Sequence, residues 1–247
     1  MRFRPLPLAL ALALAAPVAL ARPVAAQDHS GPNLDAAAAA APPGGAATLG
    51  LAAELYALGL AQGDALTVLT AARLALSVAV TEGGAIAPTT SGALPAVDAE
   101  GPAEAPVDAV TMLARARDLA GDDESLHGLL ADTGADTGAG TGAETGADSA
   151  RGRTGGAVAW LSRLPAGRTD RWEIAFSGNA RAEIAVLGDG DANLDIVVAD
   201  ADGNVLCLEV SWADRLSCAF TPARDGTFHI TVQNLGPARN SYRLITN

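Results

Sequence analysis

The chain has 247 residues, with 28 Asp and Glu against 16 basic side chains, all Arg, for a formal net charge of −12. That balance excludes a nucleic-acid or anionic-membrane binder, because both partners need dense positive charge. Three Trp, two Tyr and four Phe in an Ala- and Gly-rich chain argue against one large aromatic-cored enzyme domain and for one or two smaller ones.

Arg2 and Arg4 precede an apolar run from Leu6 to Leu20, and small residues follow through Val24-Ala25-Ala26. A basic start, a short apolar core and an A-x-A-like end describe a secretory signal peptide over residues 1–26, cut after Ala26. The run carries Pro17 and falls short of the roughly 20 residues a spanning helix needs, so no membrane span is expected. No Cys lies near the cut, which gives no sign of a lipid anchor. Loss of Arg2, Arg4 and Arg22 leaves 13 Arg against 28 acids, a mature charge of −15, in the periplasm or outside the cell. Cys207 and Cys218 are the two cysteines, and oxidising compartments favour pairing them. Closing so short a loop stabilises by roughly 3 kcal/mol. The alternative is two free buried thiols. Zinc needs more ligands, and a redox pair reads C-x-x-C.

Residues 27–45 are rich in Ala, Pro and Gly without periodicity and read as a flexible leader. Residues 46–131 then read as an Ala-rich helical domain. Leu51, Leu55 and Leu58 share one face of a first helix, Gly63 ends it, and Asp64 caps a second carrying Leu66, Leu69, Leu76 and Val80 to the same core. Glu82 to Glu104, with Pro88, Pro95 and Pro102, reads as loop. Pro106 suits the first turn of a third helix with Val110, Leu113 and Ala116. Gly121 stops it, and Asp122 or Asp123 opens a short fourth with Leu126, Leu129 and Leu130.

Residues 132–155 open on tetrapeptides ending in Thr-Gly-Ala, which cannot bury apolar surface and read as an acidic flexible linker. Asp132-Thr133-Gly134 and Asp136-Thr137-Gly138 match the tripeptide of aspartic proteases. That chemistry needs two rigidly held carboxylates about 3 Å apart, and the repeat explains the match by composition alone.

Over residues 156–247 the period changes to two. Trp172, Ile174 and Phe176 alternate with polar or small residues, as do Ala182, Ile184 and Val186, and Phe228, Ile230 and Val232. Leu206, Leu208, Val210 and Trp212, then Leu216 to Phe220, and finally Tyr242 and Leu244 add further strands. Asp189-Gly190, Asp202-Gly203, Asp225-Gly226 and Gly236-Pro237 supply the turns. About eight short strands without intervening helices predict an antiparallel β-sandwich. The run Gly188-Asp189-Gly190-Asp191-Ala192-Asn193-Leu194-Asp195-Ile196-Val197-Val198 resembles the signature of the bacterial pre-peptidase C-terminal domain. So do Asp202-Gly203-Asn204, Phe220-Thr221-Pro222, Asp225-Gly226-Thr227-Phe228 and Asn240-Ser241-Tyr242-Arg243-Leu244. The resemblance covers about residues 155–247 and implies a jelly-roll-like sandwich of the kind appended to secreted hydrolases for secretion, solubility or substrate attachment. Two features depart from the family. No peptidase domain precedes this one, and Val198 and Ala199 stand where relatives often carry an aromatic, which weakens the case for aromatic-mediated polymer binding.

The acidic run is the best candidate site. Asp189, Asp191, Asn193 and Asp195 follow D-x-D-x-N-x-D spacing, and Asp200 falls at the twelfth position of a calcium-loop register. That register wants Gly where Leu194 stands, and the alternative use of the same residues is to cap a tight turn. Catalytic motifs are missing: no G-x-S-x-G, H-E-x-x-H or phosphate loop occurs. His29 falls in the leader, His127 on a helix, and His229 on the solvated face of a strand. Trp160 and Trp212 suit sugar stacking, but Trp212 shares phase with Leu208 and Val210, which favours core packing. The expected function is a non-catalytic binding or adaptor protein of the cell envelope or secretome, with no cofactor unless calcium. Its partner is a protein requiring Leu51, Leu55 and Leu66, or an envelope or extracellular polymer. The alternatives are an accessory subunit of a separate secreted hydrolase and a purely structural, solubilising module.

Overall fold

The computed structural model describes residues 31–39, 41–92, 106–136, 156–190 and 193–247. The signal peptide, part of the leader and most of the repeat lie outside them.

Four helices form from the N-terminal half: α1 (Gly45–Gln62), α2 (Ala65–Leu76), α3 (Ala109–Ala120) and α4 (Glu124–Asp136). Gly63 ends α1 in the left-handed region at φ 65°, and Asp64 caps α2 by accepting from Leu66 N at 3.0 Å. Asp108 caps α3 through Thr111 N at 2.7 Å, two residues after the Pro106 expected to start that helix. Asp123 caps α4 through Ser125 N at 2.9 Å. This last helix continues into the first repeat unit, because Arg73 of α2 reaches Thr133 Oγ1 at 2.7 Å and Leu129 O at 3.0 Å and holds that turn.

Ten strands make two sheets: β1 (Ala79–Glu82), β2 (Thr89–Ser91), β3 (Gly156–Leu164), β4 (Thr169–Phe176), β5 (Ala182–Leu187), β6 (Leu194–Asp200), β7 (Val205–Val210), β8 (Arg215–Phe220), β9 (Gly226–Asn234) and β10 (Asn240–Thr246). The first sheet has the order β1-β3-β10-β5-β8 and the second β2-β4-β9-β6-β7. Counted from β3, the strands lie first-eighth-third-sixth over second-seventh-fourth-fifth, the jelly-roll order. β2 comes from the stretch expected to be loop, whereas β1 takes the end of the expected second helix, which stops at Leu76 and leaves Val80 exposed on a strand. Both form because two sheet edges lie beside them: β1 adds parallel to β3, and β2 antiparallel to β4.

Inward residues from both sheets, among them Trp172, Phe228, Ile184, Ile196, Ile230 and Leu244, fill the sandwich. Asp170 is buried at one end of it and accepts from Tyr242 OH at 2.7 Å, Ser162 Oγ at 2.7 Å and Thr90 Oγ1 at 2.5 Å. Trp172 Nε1 donates to the same Tyr242 oxygen at 2.7 Å. Burial, and then the Asp170 carboxylate, push the Tyr242 phenol far above its ordinary range. A disulfide joins Cys207 on the edge strand of the second sheet to Cys218 on the edge strand of the first, with Cα atoms 6.1 Å apart.

A second core lies on the outer face of the first sheet. There Ala157, Ala159, Ala185, Leu187 and Ile245 pack with Ala46, Leu49, Ala52 and Ala53 of α1. β5 is consequently buried on both faces. Helices and sandwich are docked, not held apart by the linker.

Candidate functional site

The acidic residues separate in space. The turn between β5 and β6 holds Asp189 and Asn193, while Asp191 lies outside the described residues. Asp189 Oδ2 accepts from Ser241 N at 2.7 Å, and Asn193 O accepts from Leu235 N at 2.9 Å. Asp195 opposes Val210 and Gln233 on the outward face of β6. Asp200 ends that strand, some ~20 Å from Leu194 at ordinary strand rise. Its buried carboxylate accepts from Asn33 N at 2.8 Å, Asp202 N at 3.0 Å and Asn204 N at 2.9 Å, and from the Asn204 amide. Burial pushes the Asp200 pKa up, but the hydrogen bonds from Asn204, Asn33 and Asp202 outweigh it and hold the group below the ordinary carboxylate range. The carboxylate that reaches the turn is one the spacing does not reveal, Asp214: it accepts from Gly190 N, and its own carbonyl accepts from Gly188 N at 2.8 Å. Among the described residues, no three His, Cys, Asp or Glu side chains stand close enough together to hold a metal ion.

The histidines are dispersed. His29 lies outside the described residues. His127 Nε2 lies 2.7 Å from Gly121 O, the end of α3. His229 faces Glu173 across the β4–β9 pair with 3.7 Å between Nδ1 and Oε1, and its side chain is mostly covered rather than solvated.

Two surfaces depart from the expected packing. Trp160 joins the sandwich core against Trp172, ring centroids 6.1 Å apart. Trp212 instead is 95% exposed, contrary to the expectation of core packing, and Leu208 and Val210 are exposed with it. A register shift between Val198 and Ala199 is the reason. Val198 opposes Cys207 and Ala199 opposes Val205, so Leu206 is an extra residue that turns inward while Leu208 and Val210 turn out.

On the helices, α1 buries Ala46, Leu49, Gly50, Ala52, Ala53 and Gly59, so the expected inward leucines are rotated away. Leu51 is 50% exposed, Leu58 48% and Leu66 of α2 50%, with Leu55 partly buried beside them. Close approach decides this: a Cβ on Gly59 would lie 2.7 Å from Val68 Cγ2, so the helix meets its neighbours with its small residues.

Two residues that position these surfaces carry no local sequence signal. Glu183 on β5 accepts from Gly44 N at 2.7 Å and Ala47 N at 3.1 Å, capping α1 from across the fold, and also takes Arg181 Nε at 2.9 Å. A Cβ on Gly44 would lie 2.8 Å from Glu183 Oε2, so glycine there lets the carboxylate reach the amides. Asn33, in the expected flexible leader, exchanges hydrogen bonds with Arg224: Nδ2 to Arg224 O at 3.0 Å and Arg224 N to Oδ1 at 2.9 Å.

No family model matches the chain, and no curated protein does. Among solved structures the chain is similar to the pre-peptidase C-terminal domain of collagenase from Bacillus anthracis, at 13% identity over 37% of this chain and 76% of that chain, with a TM-score of 0.23. At that level the match adds nothing to the strand order described above.

Proposed function

We propose that this is an exported, non-catalytic binding or adaptor protein of the bacterial envelope or secretome, and that its recognition surface is the leucine ridge of the helical layer. The observation that carries the reading is that Leu51 and Leu58 of α1 and Leu66 of α2 stand half exposed on a helical layer that α1 anchors to the sandwich. Solvated leucines on a docked helical layer suit an apolar protein partner. The signal-like start and the Cys207–Cys218 disulfide support an oxidising compartment. No helix among the described residues is long and apolar enough to cross a membrane. Motifs from Gly188 to Val198 and from Asn240 to Leu244 support kinship of the sandwich with pre-peptidase C-terminal domains.

The test is affinity capture from native envelope and medium fractions with the mature chain and with Leu51→Glu/Leu58→Glu. A stoichiometric protein retained by the first and lost by the second is the expected result. Equal capture by both, or hydrolase activity in the purified chain, contradicts the proposal.

A further inference from the structure

The helices pack on the first sheet, and among the described residues no helix packs on the outer face of the second. Strand pairing sets two adjacent rows of outward side chains across that face. One row is Arg171, Thr231, Val197 and Leu208, and the other is Thr169, Gln233, Asp195 and Val210. Each is polar on the β4 side and aliphatic at the β7 edge. Trp212 continues the aliphatic border: it follows Val210 by two residues, and Ala213 O accepts from Leu194 N at 3.3 Å, which holds this segment beside the start of β6. Polar outward residues are ordinary on an antiparallel sheet. An indole that is 95% exposed is not, because tryptophan is highly buried on average. Among the described residues the side chains of Arg171, Thr231, Gln233 and Asp195 make no internal hydrogen bond, whereas Glu209 on the edge is committed to Ser217 N at 2.8 Å.

We propose that this face binds an uncharged polysaccharide of equatorial pyranoses, a cellulose- or chitin-like chain, with one ring stacked on Trp212. Such a ring presents only C–H bonds on its faces and carries its hydroxyls around the rim. It therefore needs a flat apolar platform with hydrogen-bonding groups beside it, and Trp212 with Asp195 and Gln233 supplies both. In the Arg171 row the two central side chains, Thr231 and Val197, are short. Arg171 and Leu208 stand on strands three spacings apart, ~14 Å, which leaves an open channel for one extended chain. Charge excludes acidic polymers: the chain carries −12, and this face adds Asp195 and Glu173 against Arg171. A folded protein partner would need an apolar centre, whereas this face is apolar along one border only. Trp212 lies at the opposite end of β6 from Ala199, so the platform is independent of the positions where pre-peptidase C-terminal domains carry an aromatic. An open face buries less of a ligand than a pocket does, so binding is weak and grows with chain length.

Tryptophan emission of the mature full-length chain, titrated with cellohexaose and with chitohexaose to about 10 mM, tests this. Trp160 and Trp172 are buried, so a saturable change reports Trp212, and saturation by at least one hexasaccharide is the expected result. Retardation in native gels containing hydroxyethyl cellulose or glycol chitin reads binding in variants that lack the indole. Trp212→Ala should abolish retardation with its thermal melt intact, and Gln233→Ala should weaken it about tenfold. Leu58→Glu, which alters the helical surface, should leave it in place. No saturable change with either sugar, retardation that survives Trp212→Ala, or retardation lost with Leu58→Glu overturns the proposal, as does capture of an envelope protein that depends on Trp212.

Discussion

Glu183 shows how one side chain can decide whether two parts of a chain form one body. It is buried, and its two carboxylate oxygens face the first amides of α1 and the guanidinium of Arg181. In Glu183→Ala those amides lose their acceptor under the helix, where water replaces it poorly. Such a loss costs about 3 kcal/mol. Urea unfolding should show the midpoint falling accordingly. Asp200 gives a pH signature. A carboxylate whose folded pKa is depressed contributes stability above the unfolded value near ~4, and that stability is lost as pH falls through the folded value. Stability should therefore drop on acidification below about pH 4, and less steeply in Asp200→Asn. The difference should be the same in calcium and in chelator, because Asn33, Asp202 and Asn204 occupy the carboxylate. Neither role is legible in sequence. Glu183 alternates like a solvated strand residue, and its partner at Gly44 lies 139 positions away.

At the scale of elements, the contest between propensity and packing is clearest at Gly59. Alanine is favoured over glycine inside a helix by about 1 kcal/mol. Here the added methyl would lie 2.7 Å from Val68 Cγ2 and 2.9 Å from Val68 N, and backbone cannot yield as a side chain can. Overpacking of that kind costs about 1–3 kcal/mol. Gly59→Ala should therefore destabilise in a thermal melt, while Leu58→Ala beside it should change stability by less than about 0.5 kcal/mol. The same contest explains what the sequence hides. A leucine pattern at i, i+4 and i+7 marks an inward face when bulk decides burial, but α1 approaches the sheet so closely that its Ala and Gly face wins. β4 and β9 are read correctly from strict alternation because both lie mid-sheet with one face in the core. β7 is misread because Leu206 breaks its phase, and no local signal distinguishes that bulge from regular alternation.

At the scale of the molecule, the helical layer and the jelly roll share a core, and the chain ties them again through β1 and β2 on the sandwich and Asn33 at the β8–β9 turn. Composition reveals the helical and β halves and the disulfide between Cys207 and Cys218. It does not reveal the docking, because most of the docking residues are alanines, which carry little directional signal, with only Leu49, Leu187 and Ile245 among them as larger side chains. A docked layer presents its leucine ridge in a fixed orientation, and its stability is coupled to that of the sandwich. The most direct test is urea unfolding of the mature chain followed at once by the far-ultraviolet helix signal and by tryptophan emission, since the buried Trp160 and Trp172 report the sandwich. Coincident midpoints are the predicted result. Loss of the helix signal at lower urea, with the tryptophan transition unmoved, would contradict a single body.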